Sequence, residues 1–266
     1  MRPGDLDGVD LSKLSFREKR QLHDLLAEKE KLGQRKRFYG MYPDVGPLRR
    51  ELYAKHLEFF SIGKVHRERL FCAANRVGKT EGAGGYELVG HLTGEYPTWW
   101  PGRVFKRPVS TWAAGDTGKT TRDILQRKLL GPINALGSGL IPGKLIERVT
   151  PKAGLPDAIE NVYVRHVTTG RTSLLSLKSY DQKREAFQGT EQDVVLLDEE
   201  PPEDVYDECV LRTTATPERP DGGIVMLTYT PIKGLTPLTL RFLPEFAPAG
   251  EEELEEKLDF GDEEDE

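Results

Sequence analysis

Ala73-Ala74-Asn75-Arg76-Val77-Gly78-Lys79-Thr80 sets a lysine and a hydroxyl directly behind a glycine, in the form A-x-x-x-x-G-K-T. An apolar run, residues 69–74, leads into it, and a helical pattern, residues 81–92, leads away. In such a turn the backbone N–H groups and the helix N-terminus surround phosphate oxygens. Lys79 is then expected to reach the β- and γ-phosphates, and the Thr80 hydroxyl to hold Mg2+. The expected contact residues are Ala74, Asn75, Arg76, Val77, Gly78, Lys79, Thr80 and Glu81. Ala73, where glycine is usual, is the one departure from the Walker A pattern. The plain alternative is a strand-turn-helix whose lysine is only solvated.

Such a loop needs a second half. Val194-Val195-Leu196-Leu197 is a continuous apolar strand that ends in Asp198-Glu199-Glu200-Pro201-Pro202. Asp198 is expected to hold Mg2+ and Glu199 to polarise the attacking water as general base. A GTPase more typically orients that water with Gln, so the acid beside the metal ligand points to ATP. Glu200 is read as structural or interfacial. Charge developing on the γ-phosphate calls for arginine, worth about 10³–10⁵ in rate; Arg76 in the loop and Arg184 before the acid-bearing strand are the candidates. For Arg184 the competing reading is a pair with Glu185 or Asp181. Thr228 and Thr230, at the tip of the next strand, are placed to sense the γ-phosphate.

The sequence also holds a decoy. Ala113-Ala114-Gly115-Asp116-Thr117-Gly118-Lys119-Thr120 satisfies the same A-x-x-x-x-G-K-T pattern. Asp116 would put a carboxylate into a nest meant for phosphates, a like-charge conflict. It suits a helix cap instead, with Lys119 solvated in the first turn. The earlier copy is therefore the expected site.

Strands expected at residues 69–74, 109–114, 193–197 and 223–228 alternate with helices at 81–92, 117–130 and 205–213, so the chain reads as α/β. Loops at strand carboxy ends imply a doubly wound, mostly parallel sheet flanked by helices. Helices are also expected at 14–33, stopped by Gly33, at 48–62, and briefly at 181–187. Thr168-Thr169-Gly170 reads as a hairpin turn. Tyr53, His56, Phe59 and Phe60, upstream of the loop, are aromatics suited to sandwich an adenine; for Phe59 and Phe60 the competing reading is the core. The expected organisation is a helical, basic region at 1–47, an ATPase core at 48–245 and an acidic, disordered tail at 246–266.

The net charge of −6 hides an asymmetry. Eleven acids and one Lys after residue 250 leave the rest of the chain at +4, its basic residues bunched early. That pattern fits a polyanionic partner or a solvated basic face. Cys72 and Cys209 are the only cysteines, so no disulfide framework and a reducing compartment are expected. No apolar run approaches the roughly 18 residues of a membrane span, and no membrane partner is expected.

Taken together these residues resemble the N-terminal ATPase domain of tailed-bacteriophage terminase large subunits. The similarity runs from about Tyr53 to Gly234 and includes Lys55-His56-Leu57-Glu58-Phe59-Phe60, Arg67-Glu68-Arg69-Leu70-Phe71 and Trp112-Ala113-Ala114-Gly115. It continues through Arg184-Glu185-Ala186-Phe187-Gln188-Gly189, Asp198-Glu199-Glu200-Pro201-Pro202 and Thr230-Pro231-Ile232-Lys233-Gly234. The resemblance implies an additional-strand (RecA/terminase-like) P-loop NTPase fold and ATP hydrolysis that drives double-stranded DNA into a procapsid. It implies a homo-oligomeric ring on the portal protein, with a small terminase subunit as further partner, in the host cytoplasm at the portal vertex. In isolation a monomer is compatible with it. It also implies nucleotide contacts by Asn75, Arg76, Gly78, Lys79 and Thr80, Mg2+ on Asp198, catalysis by Glu199, and a coupling role for Thr230-Pro231. Gln188 stands where many members have Arg, which leaves the position of a finger acting in trans open. The family's nuclease domain has no room in this sequence, so no DNA cleavage is expected. A helicase-like motor would need further motifs and a second RecA-like domain. A nucleotide-binding assembly module without turnover is the alternative from another class, and Lys79, Asp198 and Glu199 argue against it.

Overall fold

The computed structural model describes residues 15–35 and 37–247. Seven strands form one sheet among them: β1 (Glu68–Cys72), β2 (Ser110–Gly115), β3 (Ile146–Pro151), β4 (Ile159–Arg165), β5 (Thr172–Ser179), β6 (Val194–Asp198) and β7 (Ile224–Tyr229). Their spatial order is β1-β7-β6-β2-β5-β4-β3. The five strands from β1 to β5 run parallel, and β4 and β3 add an antiparallel edge. β4 and β5 are the hairpin expected around Thr168-Thr169-Gly170. β7 separates the strand that feeds the phosphate loop from the strand that carries the acids, the additional-strand arrangement of a P-loop NTPase.

The helices are α1 (Phe16–Arg35), α2 (Ala54–Ile62), α3 (Tyr86–Thr93), α4 (Gly118–Thr120), α5 (Arg127–Leu130), α6 (Glu203–Arg212) and α7 (Pro237–Phe242). Wide turns, Lys79–Gly85 and Thr121–Gln126, lead into α3 and α5. Every residue of β6 and β7 is buried, as strands covered on both faces must be. Their side chains alternate between two cores. Val194, Leu196, Ile224 and Met226 meet Phe59 and Phe60 of α2, Leu88 and Leu92 of α3, and Leu129 of α5. Val195, Leu197, Val225 and Leu227 meet Val205, Tyr206 and Cys209 of α6 and Leu238 of α7. Each such aliphatic side chain contributes about 1.5–3 kcal/mol when fully buried. In β5, by contrast, burial alternates along the strand, because that end of the sheet is covered less completely.

Several local expectations need correction. Packing starts before residue 48: Phe38 and Tyr42 belong to the first core. Residues 48–62 form a 3-10 turn, Arg50–Tyr53, before α2 begins. The helix expected at 181–187 is two 3-10 turns broken at Lys183, whose φ of 59° ends the first. α1 continues past Gly33 to Arg35. Phe59 and Phe60 are core residues, so neither is free to stack on a base. The acidic stretch after residue 247 lies outside the described residues. Both cysteines are free thiols. Among the described residues no helix is long and apolar enough to cross a membrane.

Candidate active site

The parallel strands end along one edge of the sheet. In register, Cys72 of β1 stands beside Tyr229 of β7, Thr228 beside Asp198 of β6, and Leu197 beside Ala114 of β2. Ligands of open α/β sheets bind in the crevice outside such carboxy ends. The loop 73–80 opens onto this edge with residues 74–77 exposed. Arg76 (φ 65°) and Gly78 (φ 87°) are both left-handed, which curls the chain back around its own amides. The following helix begins on a wide turn, Ala83 N–H donating to Gly78 C=O at 3.1 Å, a geometry frequent at functional sites.

Lys79 is buried, and its Nζ donates to Ala74 C=O at 2.8 Å and to Thr230 Oγ1 at 2.7 Å. Thr230 lies in turn within hydrogen-bond reach of Ala73 C=O (2.8 Å) and Asn75 Oδ1 (3.0 Å), so the tip of β7 is tied to the loop and to its lysine. Two neutral oxygens hold the ammonium, and no carboxylate among the described residues pairs with it directly. Its charge is therefore available to an anion. Asp198 Oδ1 accepts from Thr228 Oγ1 at 2.9 Å, and the Thr80 hydroxyl is near enough to the carboxylate to favour its charged form. Burial raises the Asp198 carboxyl, while the Thr80 and Thr228 hydroxyls and the Lys128 and Lys79 charges oppose the rise. A hydroxyl and a carboxylate side by side are the hard oxygen ligands Mg2+ takes. Nucleotide and metal thus fit the residues present. Thr228 is fully buried beneath Asp198, so it orients that carboxylate and cannot touch a γ-phosphate as expected.

Glu199 follows as a partly exposed residue with its backbone left-handed at φ 66°. For a residue with a Cβ that conformation costs about 1–2 kcal/mol and must be held by its surroundings. Its N–H donates to Thr228 C=O at 3.1 Å. Partial burial and the neighbouring Asp198 raise its carboxyl, and Lys79 opposes them. Glu200 turns away: its Oε1 accepts from Thr236 Oγ1 at 2.5 Å, as a structural reading requires.

The remaining candidates are placed as follows. Arg76 is exposed on the loop and forms no ion pair with a described residue. Arg184 pairs neither with Glu185 nor with Asp181; its Nε donates to Glu208 at 2.8 Å, and Arg212 holds the other oxygen of the same carboxylate. None of its ion pairs involves the loop, Asp198 or Glu199. The Glu81 side chain is engaged by Arg37, which leaves its backbone as the part facing the loop. Val77 is held through its carbonyl, which accepts from His56 Nε2 at 3.1 Å. Tyr42 Oη sits 2.6 Å from His56 Nδ1 and 2.8 Å from Gly82 C=O, bracing both sides of the loop. Burial lowers the His56 pKa, so the neutral imidazole donates from Nε2. Sequence reasoning does not foresee that Tyr42 and His56 support this turn, because nothing in their spacing announces it.

In the second A-x-x-x-x-G-K-T loop, Gly118 N–H donates to Asp181 Oδ2 at 3.0 Å, and Thr117 and Thr120 form a reciprocal capping box. The cap is therefore Thr117, not Asp116 as expected. Lys119 is exposed, as expected of a solvated side chain.

A family model described as terminase large subunit, T4likevirus-type, N-terminal, matches residues 70–264. The terminase large subunit of Salmonella phage P22 is 31% identical over 258 residues, covering 90% of this chain and 48% of that protein. The chain thus spans about half the length of this curated relative. Among solved structures, the large terminase of a thermophilic bacteriophage is 14% identical with a TM-score of 0.43, over 66% of this chain and 38% of that one. The large terminase ATPase domain of Thermus phage P74-26 is 19% identical with a TM-score of 0.39, over 65% and 63% respectively.

Proposed function

We propose, from the premise that this chain belongs to the N-terminal family of terminase large subunits, that it hydrolyses ATP to drive double-stranded DNA into a viral procapsid. The observation that carries this reading is the meeting of Lys79, Thr80, Asp198 and Glu199 at one sheet edge, with Thr230 joining loop and lysine. On binding, the amides of residues 74–81 receive phosphate oxygens, and Lys79 exchanges Ala74 C=O and Thr230 for the β- and γ-phosphates. Thr80 and Asp198 would hold Mg2+, which when bound would neutralise charge on the phosphate oxygens. Glu199, one residue past the metal-ligand candidate Asp198, takes the proton of the attacking water. Arg76 is the arginine free to meet the charge of the transition state. Arg184 serves only if its pair with Glu208 opens.

The setting is a homo-oligomeric ring on a portal protein, assisted by a small terminase subunit, in the cytoplasm of the infected host. Glu199→Gln tests the chemistry. Nucleotide binding is expected to persist while hydrolysis falls by about 10²–10⁴, the usual weight of a general base. Hydrolysis at the wild-type rate in this variant overturns the assignment, and wild-type chain that binds without turnover favours an assembly module instead.

A further inference from the structure

We infer that Tyr180 is a positioning residue for the general base; the inference rests on the assignment of Glu199 to that role. Tyr180 follows β5, and β2 lies between β5 and the acid-bearing β6. Its side chain nevertheless spans β2: Oη is 3.4 Å from Ala114 C=O and 3.0 Å from both Asp198 C=O and Glu199 C=O. A phenol has one proton, so it is shared between the two nearer carbonyls, with the third at the margin. These carbonyls flank the left-handed residue Glu199.

Glu199 is thereby gripped on both sides. Its N–H is fixed by Thr228 C=O of β7, and its own C=O and the one before it by Tyr180. Fixing both peptide planes fixes the Cα–Cβ direction and with it the arc the carboxylate can sweep. The conformation is disfavoured for a residue with a Cβ, so without that grip it relaxes to negative φ and swings the carboxylate away. The sequence provides for the crossing. Tyr180 is buried against Trp112, Ala114, Leu197 and Phe187, and Ala114 is small where the ring must pass over β2. A merely space-filling tyrosine would need the ring and not the hydroxyl.

The test uses Tyr180→Phe, which keeps the ring, beside Glu199→Gln and the double variant, with nucleotide affinity, single-turnover ATP hydrolysis and a crystal structure of Tyr180→Phe. Hydrolysis in Tyr180→Phe is expected to fall about 10–100-fold, the scale of a displacement near 1 Å, with nucleotide affinity within about twofold of wild type. The double variant is expected to hydrolyse no more slowly than Glu199→Gln alone, because the hydroxyl acts through the carboxylate. In the crystal structure Glu199 is expected to leave the left-handed region. Wild-type hydrolysis in Tyr180→Phe, or Glu199 unmoved at positive φ, overturns the inference. Wild-type hydrolysis in Glu199→Gln instead overturns the base assignment on which it rests, so the two failures are told apart. Where wild-type turnover is too slow to measure, the φ of Glu199 in the crystal structure of Tyr180→Phe decides alone.

Discussion

The chain carries the same eight-residue pattern twice, at 73–80 and at 113–120, on parallel strands of one sheet, and the two turns use their donors and lysines differently. In the first loop the amides after the glycine face an exposed turn, and the lysine is buried on neutral oxygens. In the second the amides are taken by Asp181 and by the Thr117 box, and the lysine is solvated. A pattern of residue types thus specifies a strand-turn-helix. Whether that turn binds an anion depends on what has already filled its donors.

The sharpest way to break this contrast is to remove each lysine. Lys79→Ala is expected to weaken ATP binding at least about 100-fold, the loss of a charge-assisted contact of roughly 3 kcal/mol, while Lys119→Ala stays within about twofold. Isothermal titration of the two variants checks it; retained affinity in Lys79→Ala would move the site to the second loop.

The frames of the two loops differ as well. Arg69 of β1 and Glu87 of α3 form a fully buried ion pair, 2.8 Å between Nη2 and Oε1, that ties the strand before the first loop to the helix after it. Arg69→Met is expected to destabilise the fold by about 3–5 kcal/mol, since it strands a buried carboxylate, and denaturant unfolding reads this directly. His91, which donates to the same carboxylate, has its pKa lowered by burial, and Glu87 is held low by Arg69 and His91 against its own burial. Both shifts act with one sign. The unfolded chain binds more protons, so stability present at about pH 8 should begin to fall below about pH 6.5, the free histidine value, and fall further once the medium becomes acid enough to protonate free carboxylates. A denaturation midpoint that rises on acidification would contradict the neutral state of His91.

Smaller effects sharpen the comparison. A Cβ at Gly84, behind the first loop, would lie 2.5 Å from Leu196 Cδ1, whereas at Gly118, in the second, the nearest atom is 3.3 Å away. Gly84→Ala is therefore expected to cost about 1–3 kcal/mol by overpacking, with Gly118→Ala near neutral. Thr117→Ala, which opens the cap of the second loop, should lose about 1 kcal/mol and gain no nucleotide affinity.

Much of the fold is legible in the sequence because its signals are local. Residues 193–197 read as a doubly buried strand from four consecutive aliphatics, and the acids that end it stand where a carboxy-end site requires them. Arg184 misleads because its nearest carboxylates in sequence are not its nearest in space: Glu208 comes from α6, and only tertiary packing brings it there. Thr228 misleads for a related reason. Its position at a strand tip suggests ligand contact, but the pleat turns its hydroxyl under Asp198. Tyr180 leaves no trace at all, since reach across an intervening strand has no periodicity to betray it.

The interposed β7 has one more consequence. Neighbouring strands stand about 4.8 Å apart, so the lysine-bearing and acid-bearing halves are held roughly 9–10 Å from each other. Main-chain pairing sets that width, and no side-chain change can narrow or widen it by degrees. Evolution or design can therefore retune what lines this gap, but to resize it would have to add or remove an entire strand.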